Sequence, residues 1–326
     1  MDCRGKPGND IFGCLSPFLR FTRTACGYRD EHEALAQLGS CRDNTELAET
    51  AVNTSSALKN TTGTIALAGA GKMGGAMLTG WLAQGLEPAR VVVIDPHLSP
   101  EISALAAQGV RLNPKAQDVG AVDTLVIAVK PQSFREAGAA LKALVGPSTL
   151  VVSIMAGTTI TVLQEICGGA VVRAMPNTPA AIGRGITVAV PAKSVTTAQR
   201  ATTNALLQAT GLVEWVEDEN LMDAVTAVSG SGPAYVFLLA EELARAGVAA
   251  GLPEQLATTL ARATVAGSGE LLHRSDLPSA TLRQNVTSPG GTTAAALEVL
   301  MATDGMQPLM TRAIAAATRR SKELAK

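Results

Sequence analysis

The sequence predicts an α/β fold, with an N-terminal Rossmann-type dinucleotide-binding domain followed by an all-α domain. Three observations lead there. A glycine-rich turn, Gly69-Ala70-Gly71-Lys72-Met73-Gly74, follows a short apolar run and opens a helical stretch. Apolar runs of strand length then alternate with helix-like segments as far as about Val213. Beyond that point the strand-like runs stop and the chain reads as successive helices.

Taken in order, residues 1–62 read as an extension, either a disordered arm or a start placed too far upstream. They lack the long apolar core of a secretory signal, and they mix Asp2, Asp10 and Asp30 with Arg4, Arg20 and Arg23, whereas a transit peptide is poor in acids. Ile65 to Ala68 is the first strand, and Met77/Trp81 and Leu78/Leu82 at i,i+4 mark the helix after the glycine turn. Val91 to Ile94 then completes a βαβ unit. Further buried strands are expected at Thr124 to Val129, Leu150 to Ile154, Val171 to Ala174 and Ile186 to Val190, which sets the dinucleotide domain at residues 63–217. Residues 218–326 form the helical domain, punctuated by Gly232-Pro233, Gly251-Leu252-Pro253 and Ser288-Pro289-Gly290-Gly291.

Composition removes several classes of function. A formal net charge of −1 over 326 residues leaves no broad basic surface for a phosphate backbone, so nucleic acid is not expected as a partner. No apolar stretch approaches the ~20 residues that span a bilayer, so no membrane association is expected. Cys3, Cys14, Cys26 and Cys41 all precede the first strand and only Cys167 lies beyond it. No disulfide framework can therefore staple the main body, and a reducing, cytoplasmic setting is expected.

The glycine turn has the G-x-G-x-x-G spacing, in which backbone N–H groups and a helix N-terminus hold a pyrophosphate. Asp95 ends the next strand, 21 residues past Gly74, where a carboxylate accepts hydrogen bonds from the ribose 2′-OH of NADH and repels the 2′-phosphate of NADPH. His97, a nearby cation when protonated, keeps both cofactors open. Ala128-Val129-Lys130-Pro131 and Ile154-Met155-Ala156-Gly157 end later strands at the same carboxyl edge of the sheet, where ligands of such sheets bind.

In the helical domain, Thr287-Ser288-Pro289-Gly290-Gly291-Thr292-Thr293 places hydroxyls and glycines just before an alanine-rich helix. That entrance has unpaired N–H donors and a positive dipole end suited to a carboxylate. Ser229-Gly230-Ser231-Gly232-Pro233 makes a similar start. The only histidines are His32, His97 and His273, and no lysine lies between Lys193 and Lys322, so the usual base of an alcohol dehydrogenase is missing. No Cys/His cluster has zinc spacing, and no metal is expected. Hydride transfer to a C=N bond, whose nitrogen is readily protonated, needs the least from such a residue set.

The stretch from Leu282 through Arg283-Gln284-Asn285-Val286 to Thr293 resembles the signature of pyrroline-5-carboxylate reductase, the last enzyme of proline biosynthesis. Ala128 to Pro131, Met175-Pro176-Asn177-Thr178-Pro179, Asp223-Ala224-Val225-Thr226 and Ser229 to Tyr235 support the resemblance, which covers the chain from about Thr64 to Lys326. It implies transfer of hydride from NADPH or NADH to the C=N bond of 1-pyrroline-5-carboxylate, giving L-proline. The residues it assigns to the cofactor are Gly69, Ala70, Gly71, Lys72, Met73, Gly74, Asp95, Asn113, Ala128, Val129, Lys130, Pro131, Met155 and Ala156. The substrate carboxylate falls to Asn285, Ser288, Gly290, Gly291 and Thr292, while the Thr293 hydroxyl meets the ring nitrogen. Glu219 matches a position near bound proline, although within Glu217-Asp218-Glu219 it also reads as a solvated charge. The segment Ser275 to Thr281 is one residue longer than the usual spacing, so Asp276 receives no role. The resemblance further implies domain-swapped dimers, assembled into decamers, with the site completed at the dimer interface. Two rivals are a β-hydroxyacid dehydrogenase, against which the missing lysine argues, and a cofactor-binding sensor without turnover.

Overall fold

Ile65-Ala66-Leu67-Ala68 forms the strand on which the rest of the sheet is built. The structure, a computed structural model, describes residues 58–59 and 61–324, so nearly all of the expected extension, with Cys3, Cys14, Cys26 and Cys41, lies outside the described residues. Strand β1 (Ile65–Ala68) is buried along its whole length and pairs in parallel with β2 (Val91–Ile94) on one side and β4 (Val122–Ile127) on the other. Such runs are continuously apolar because both faces of a parallel sheet are covered. With β3 (Arg111–Leu112), β5 (Val145–Ser153), β6 (Ala170–Met175), β7 (Gly185–Pro191) and β8 (Gly211–Trp215), the eight strands run in the order β3-β2-β1-β4-β5-β6-β7-β8. The first six are parallel; β7 pairs antiparallel to β6, and β8 runs with β7.

Alternate strand residues enter two separate apolar clusters, one on each face. Ile65, Leu67, Val91 and Val93 pack with Met77, Trp81 and Leu206. Ala66, Ala68 and Val92 pack with Phe134, Leu141 and Leu163. The covering helices are α1 (Lys72–Ala83), the short α2 (Pro100–Ala104) and α3 (Ala116–Val119), α4 (Pro131–Lys142), α5 (Ile160–Ile166) and α6 (Thr197–Gln208). Trp81 Nε1 donates to the Leu206 carbonyl at 2.8 Å, which satisfies a buried indole and ties α1 to α6. A capping box of Thr196 and Gln199 starts α6.

Strand boundaries differ from the sequence expectation where local chemistry intervenes. The strand expected to reach Val129 stops at Ile127, because Lys130 is already the N-cap of a helix whose first residue is Pro131. Strand β5 starts at Val145, before the expected Leu150, through a stretch left half-exposed. The edge strands β3 and β8 carry weak signals: β3 has two residues, and β8 leaves Leu212 and Glu214 exposed.

After Glu219 the chain is helical: α7 (Met222–Val225), a π-helical turn at Thr226–Gly230, α8 (Gly232–Ala249), α9 (Glu254–Arg274), α10 (Ser279–Asn285), α11 (Thr292–Leu300) and α12 (Met306–Leu324). Helices α8 and α9 pack on each other across a turn in which Gly251 takes φ 98°. In the single chain α8 buries none of its residues. Phe237 is 69% exposed and Val299 71%, with Leu238, Leu239, Leu271 and Met301 also open. So large an apolar surface on a water-facing bundle marks an interface.

Candidate active site

The glycine turn sits where the strand order reverses, at the carboxyl ends of β1 and β4. Each of its glycines has a different reason. Gly69 takes φ 91°, and a Cβ there would lie 2.7 Å from the Ala128 carbonyl oxygen. A Cβ on Gly74 would run into the Gly69 carbonyl oxygen, so this glycine allows α1 to close on the strand. A Cβ on Gly71 would meet nothing within 4 Å, and the residue has ordinary backbone angles, so the space it keeps clear lies outside the protein. Gly71 is also the N-cap of α1, with no side-chain cap and no acidic residue in the first turn. Open N–H donors at a helix N-terminus beside a cleared surface suit a pyrophosphate, so the residues present fit a dinucleotide.

Asp95 follows β2 and faces this turn. Its Oδ2 accepts the Ala70 N–H at 2.7 Å, and Oδ1 accepts the His97 N–H at 2.7 Å. Asn113 locks the same residue from the other side: its Oδ1 accepts the Asp95 N–H at 2.9 Å and its Nδ2 donates to the Asp95 carbonyl at 2.8 Å. To do so Asn113 adopts φ 46°, a left-handed conformation that Asn tolerates better than most residues. The two residues assigned separately to the adenosine end therefore form one unit.

Ala128 donates its N–H to the Ala68 carbonyl at 2.7 Å, and Ile154 donates to the Ile127 carbonyl at 3.0 Å, which brings the ends of β1, β4 and β5 together. Val129 is half-buried, and Lys130 and Pro131 are exposed at the start of α4. Met155 faces inward. Its side chain is 2% exposed and packs in the core with Leu163 and Cys167, leaving its backbone and the exposed Ala156 for a ligand.

In the helical part, α10 ends at Asn285, and the chain turns through Gly290 at φ 69° with the Gly291 N–H donating to Ser288 O at 3.0 Å. Gly291 caps α11 without any side-chain hydrogen bond, and the first turn carries no acidic residue. Asn285, Ser288 and Thr292 are exposed and Thr293 is half-buried. Among the described residues neither the Thr292 nor the Thr293 hydroxyl has a hydrogen-bond partner, whereas Thr287 donates its hydroxyl to the Arg283 carbonyl at 2.6 Å. The entrance thus holds backbone donors, a dipole end and two uncommitted hydroxyls.

Glu219 is held from within the protein through one of its two carboxylate oxygens. It is no solvated charge, because Oε1 accepts Arg173 Nη1 at 2.9 Å and the Ile160 N–H at 2.9 Å. Its side chain is still 29% exposed, and among the described residues Oε2 has no hydrogen-bond partner, which leaves that oxygen for a ligand. The rest of the acidic run is also engaged: Glu217 pairs with Arg200 at 2.8 Å, and Asp218 accepts the Asn220 N–H at 2.9 Å. Arg173 is not among the residues that the sequence motifs single out. Its signal was there, a lone cation inside the apolar run Val171-Val172-Arg173-Ala174, which burial forces to find a partner. Among the described residues no three His, Cys, Asp or Glu side chains come together as metal ligands, and no helix is long and apolar enough to cross a membrane.

A family model described as pyrroline-5-carboxylate reductase dimerisation matches residues 219–324, and one described as NADP oxidoreductase, coenzyme F420-dependent, matches residues 64–157. A pyrroline-5-carboxylate reductase from Synechocystis is 42% identical, with 80% of this chain and 98% of that protein covered. Among solved structures, a pyrroline-5-carboxylate reductase from Coxiella burnetii aligns with TM-score 0.75 at 34% identity, covering 82% of this chain and all of that one. The Plasmodium falciparum pyrroline carboxylate reductase, solved with NADP bound, aligns with TM-score 0.66 at 30% identity over 82% of this chain and 99% of its own.

Proposed function

The chain belongs to the pyrroline-5-carboxylate reductase family, and from that membership we propose how its residues reduce the C=N bond of 1-pyrroline-5-carboxylate to L-proline, the final step of proline biosynthesis. The cofactor is NAD(P)H, which when bound supplies the hydride. In our reading residues 63–217 hold it. The glycine turn takes the pyrophosphate, Asp95 with Asn113 sits at the adenosine ribose, and Ala128 to Pro131 with Met155-Ala156 lines the nicotinamide side.

The single observation that carries the substrate assignment is the uncapped entrance of α11. Its free N–H groups and positive dipole end, with Asn285, Ser288, Gly290, Gly291 and Thr292 around them, receive the substrate carboxylate. The Thr293 hydroxyl, uncommitted among the described residues, hydrogen-bonds the ring nitrogen. A hydroxyl is too weak an acid to drive protonation, so it orients the imine and relays a proton as the nitrogen becomes an amine. Hydride adds at the imine carbon, which becomes C5 of proline, the C=N π bond breaks, and the electron pair released to nitrogen takes up one proton.

Residues 218–326 self-associate in this account. Support comes from the dimerisation model and from the open apolar face of α8, α9 and α11. We further propose a domain-swapped dimer that completes the site and assembles into a decamer, in a cytoplasmic setting where the buried Cys167 stays a free thiol. The test is oxidation of NADH and of NADPH by purified protein with 1-pyrroline-5-carboxylate. Turnover with both substrates present and none without the imine supports the reading; cofactor binding without turnover overturns it in favour of a sensor.

A further inference from the structure

We propose that Arg173 and Glu219 form a positioning pair whose purpose is to hold the turn between β5 and α5, the nicotinamide-side wall of the cofactor site, in register with the helical part. This rests on the reductase reading above for the identity of that wall. Four observations converge on the turn. Arg173 lies on β6 with its side chain 5% exposed, and the one acid it pairs with is Glu219, at the point where the sheet gives way to helices. The same Oε1 that accepts from Arg173 accepts the N–H of Ile160, the first residue of α5. Helix-initial N–H groups ordinarily face water or a local cap, so an acceptor 59 residues away is an unusual tether. The turn is also touched from its other end: the last residue described in α12, Leu324, has its carbonyl 3.4 Å from where a Cβ on Gly157 would sit. That helix end is anchored in turn, because the buried Ser321 donates its hydroxyl to Asp223 Oδ1 at 2.6 Å.

The consequence is mechanical. Gly157 to Ile160 follow directly on Met155-Ala156, so a carboxylate fixed by a buried guanidinium and a helix end fixed by Asp223 together set where that wall stands. Hydride transfer requires donor and acceptor carbons to come within about 3–3.5 Å, so a small loosening of this wall slows the chemical step and leaves pyrophosphate-driven cofactor binding alone. A buried cation without its acid is disruptive in itself, so the informative variants remove both charges.

Two such variants separate tether from charge: Arg173→Met with Glu219→Leu, which deletes the acceptor, and Arg173→Met with Glu219→Gln, which keeps an oxygen for Ile160. We expect the first to lower kcat at least tenfold with cofactor Kd within threefold. It should also raise the isotope effect for nicotinamide-4-deuterated cofactor. The second should return kcat to within threefold of the parent. Equal behaviour of the two variants, or kcat of the first within twofold of the parent, overturns the proposal. Amide exchange of the unmodified full chain gives a readout independent of turnover and of variant folding. The Ile160 N–H should exchange at least tenfold more slowly than the Glu254 N–H, at the start of α9, and exchange at a similar rate overturns the tether. A parent that exchanges as expected yet reduces no imine would fault the reductase reading and leave the tether standing.

Discussion

The carboxylate of Asp95 accepts the amide N–H of Ala70 at 2.7 Å, so the residue proposed for the ribose also braces the turn proposed for the pyrophosphate. Its substitution should therefore do two things. Asp95→Ser removes the charge that repels a 2′-phosphate and raises the kcat/KM ratio for NADPH over NADH by about tenfold or more, a change of ~1.4 kcal/mol. Loss of the brace weakens binding of both cofactors. Steady-state kinetics with each cofactor checks this, and an unchanged ratio would remove Asp95 from the ribose.

Gly71 and Gly74 lie three residues apart and should fail in opposite ways. Gly74→Ala drives a methyl into the Gly69 carbonyl and is expected to cost on the order of 3 kcal/mol of stability. Gly71→Ala meets no protein atom, so its Tm should match the parent while cofactor affinity falls about tenfold or more, through the methyl's intrusion on the pyrophosphate. Thermal unfolding and cofactor titration of both variants decide the matter.

Thr293→Val removes a hydroxyl with no hydrogen-bond partner among the described residues, so the fold should not register the change. Turnover should fall by about 10²-fold, the low end of what a positioned proton-transfer group contributes, with cofactor Kd within about threefold. Unchanged turnover would take Thr293 out of the mechanism.

Burial pushes the Cys167 thiol up to about 11 from its ordinary 9.0, against the opposing pull of Lys142. Between those values the folded chain keeps a proton that the unfolded chain has released, so stability falls as pH rises. It is unaffected below about pH 9, and about 2–3 kcal/mol is lost by pH 11. Urea unfolding of the parent and of Cys167→Ala across pH 8–11 should show the two stabilities converging as pH rises; a constant difference would place the thiol in a more polar setting.

The parts of this protein that were legible in its sequence are those governed by local rules. Gly69, Gly71 and Gly74 announce a turn because each answers to a backbone or ligand constraint, and Pro131 and Gly291 mark helix starts for the same reason. Long-range pairing was not legible. Nothing near Glu219 in the chain shows that Arg173 and Ile160 await it, 46 and 59 residues away. Nor does the neighbourhood of Met155 reveal that its side chain turns into the core. The β3 and β8 edges were missed because a half-covered strand loses the continuous apolar run that marks the centre of the sheet.

The central claim is that hydride passes from the nicotinamide to the C=N carbon of a cyclic imine held at the entrance of α11, the carbon that becomes C5 of proline. The most direct measurement supplies cofactor deuterated at the transferring nicotinamide C4 position, together with 1-pyrroline-5-carboxylate, and locates the label in the product. The account requires L-proline carrying a single deuterium at C5; proline formed without the label, or cofactor oxidised with no proline, would contradict it.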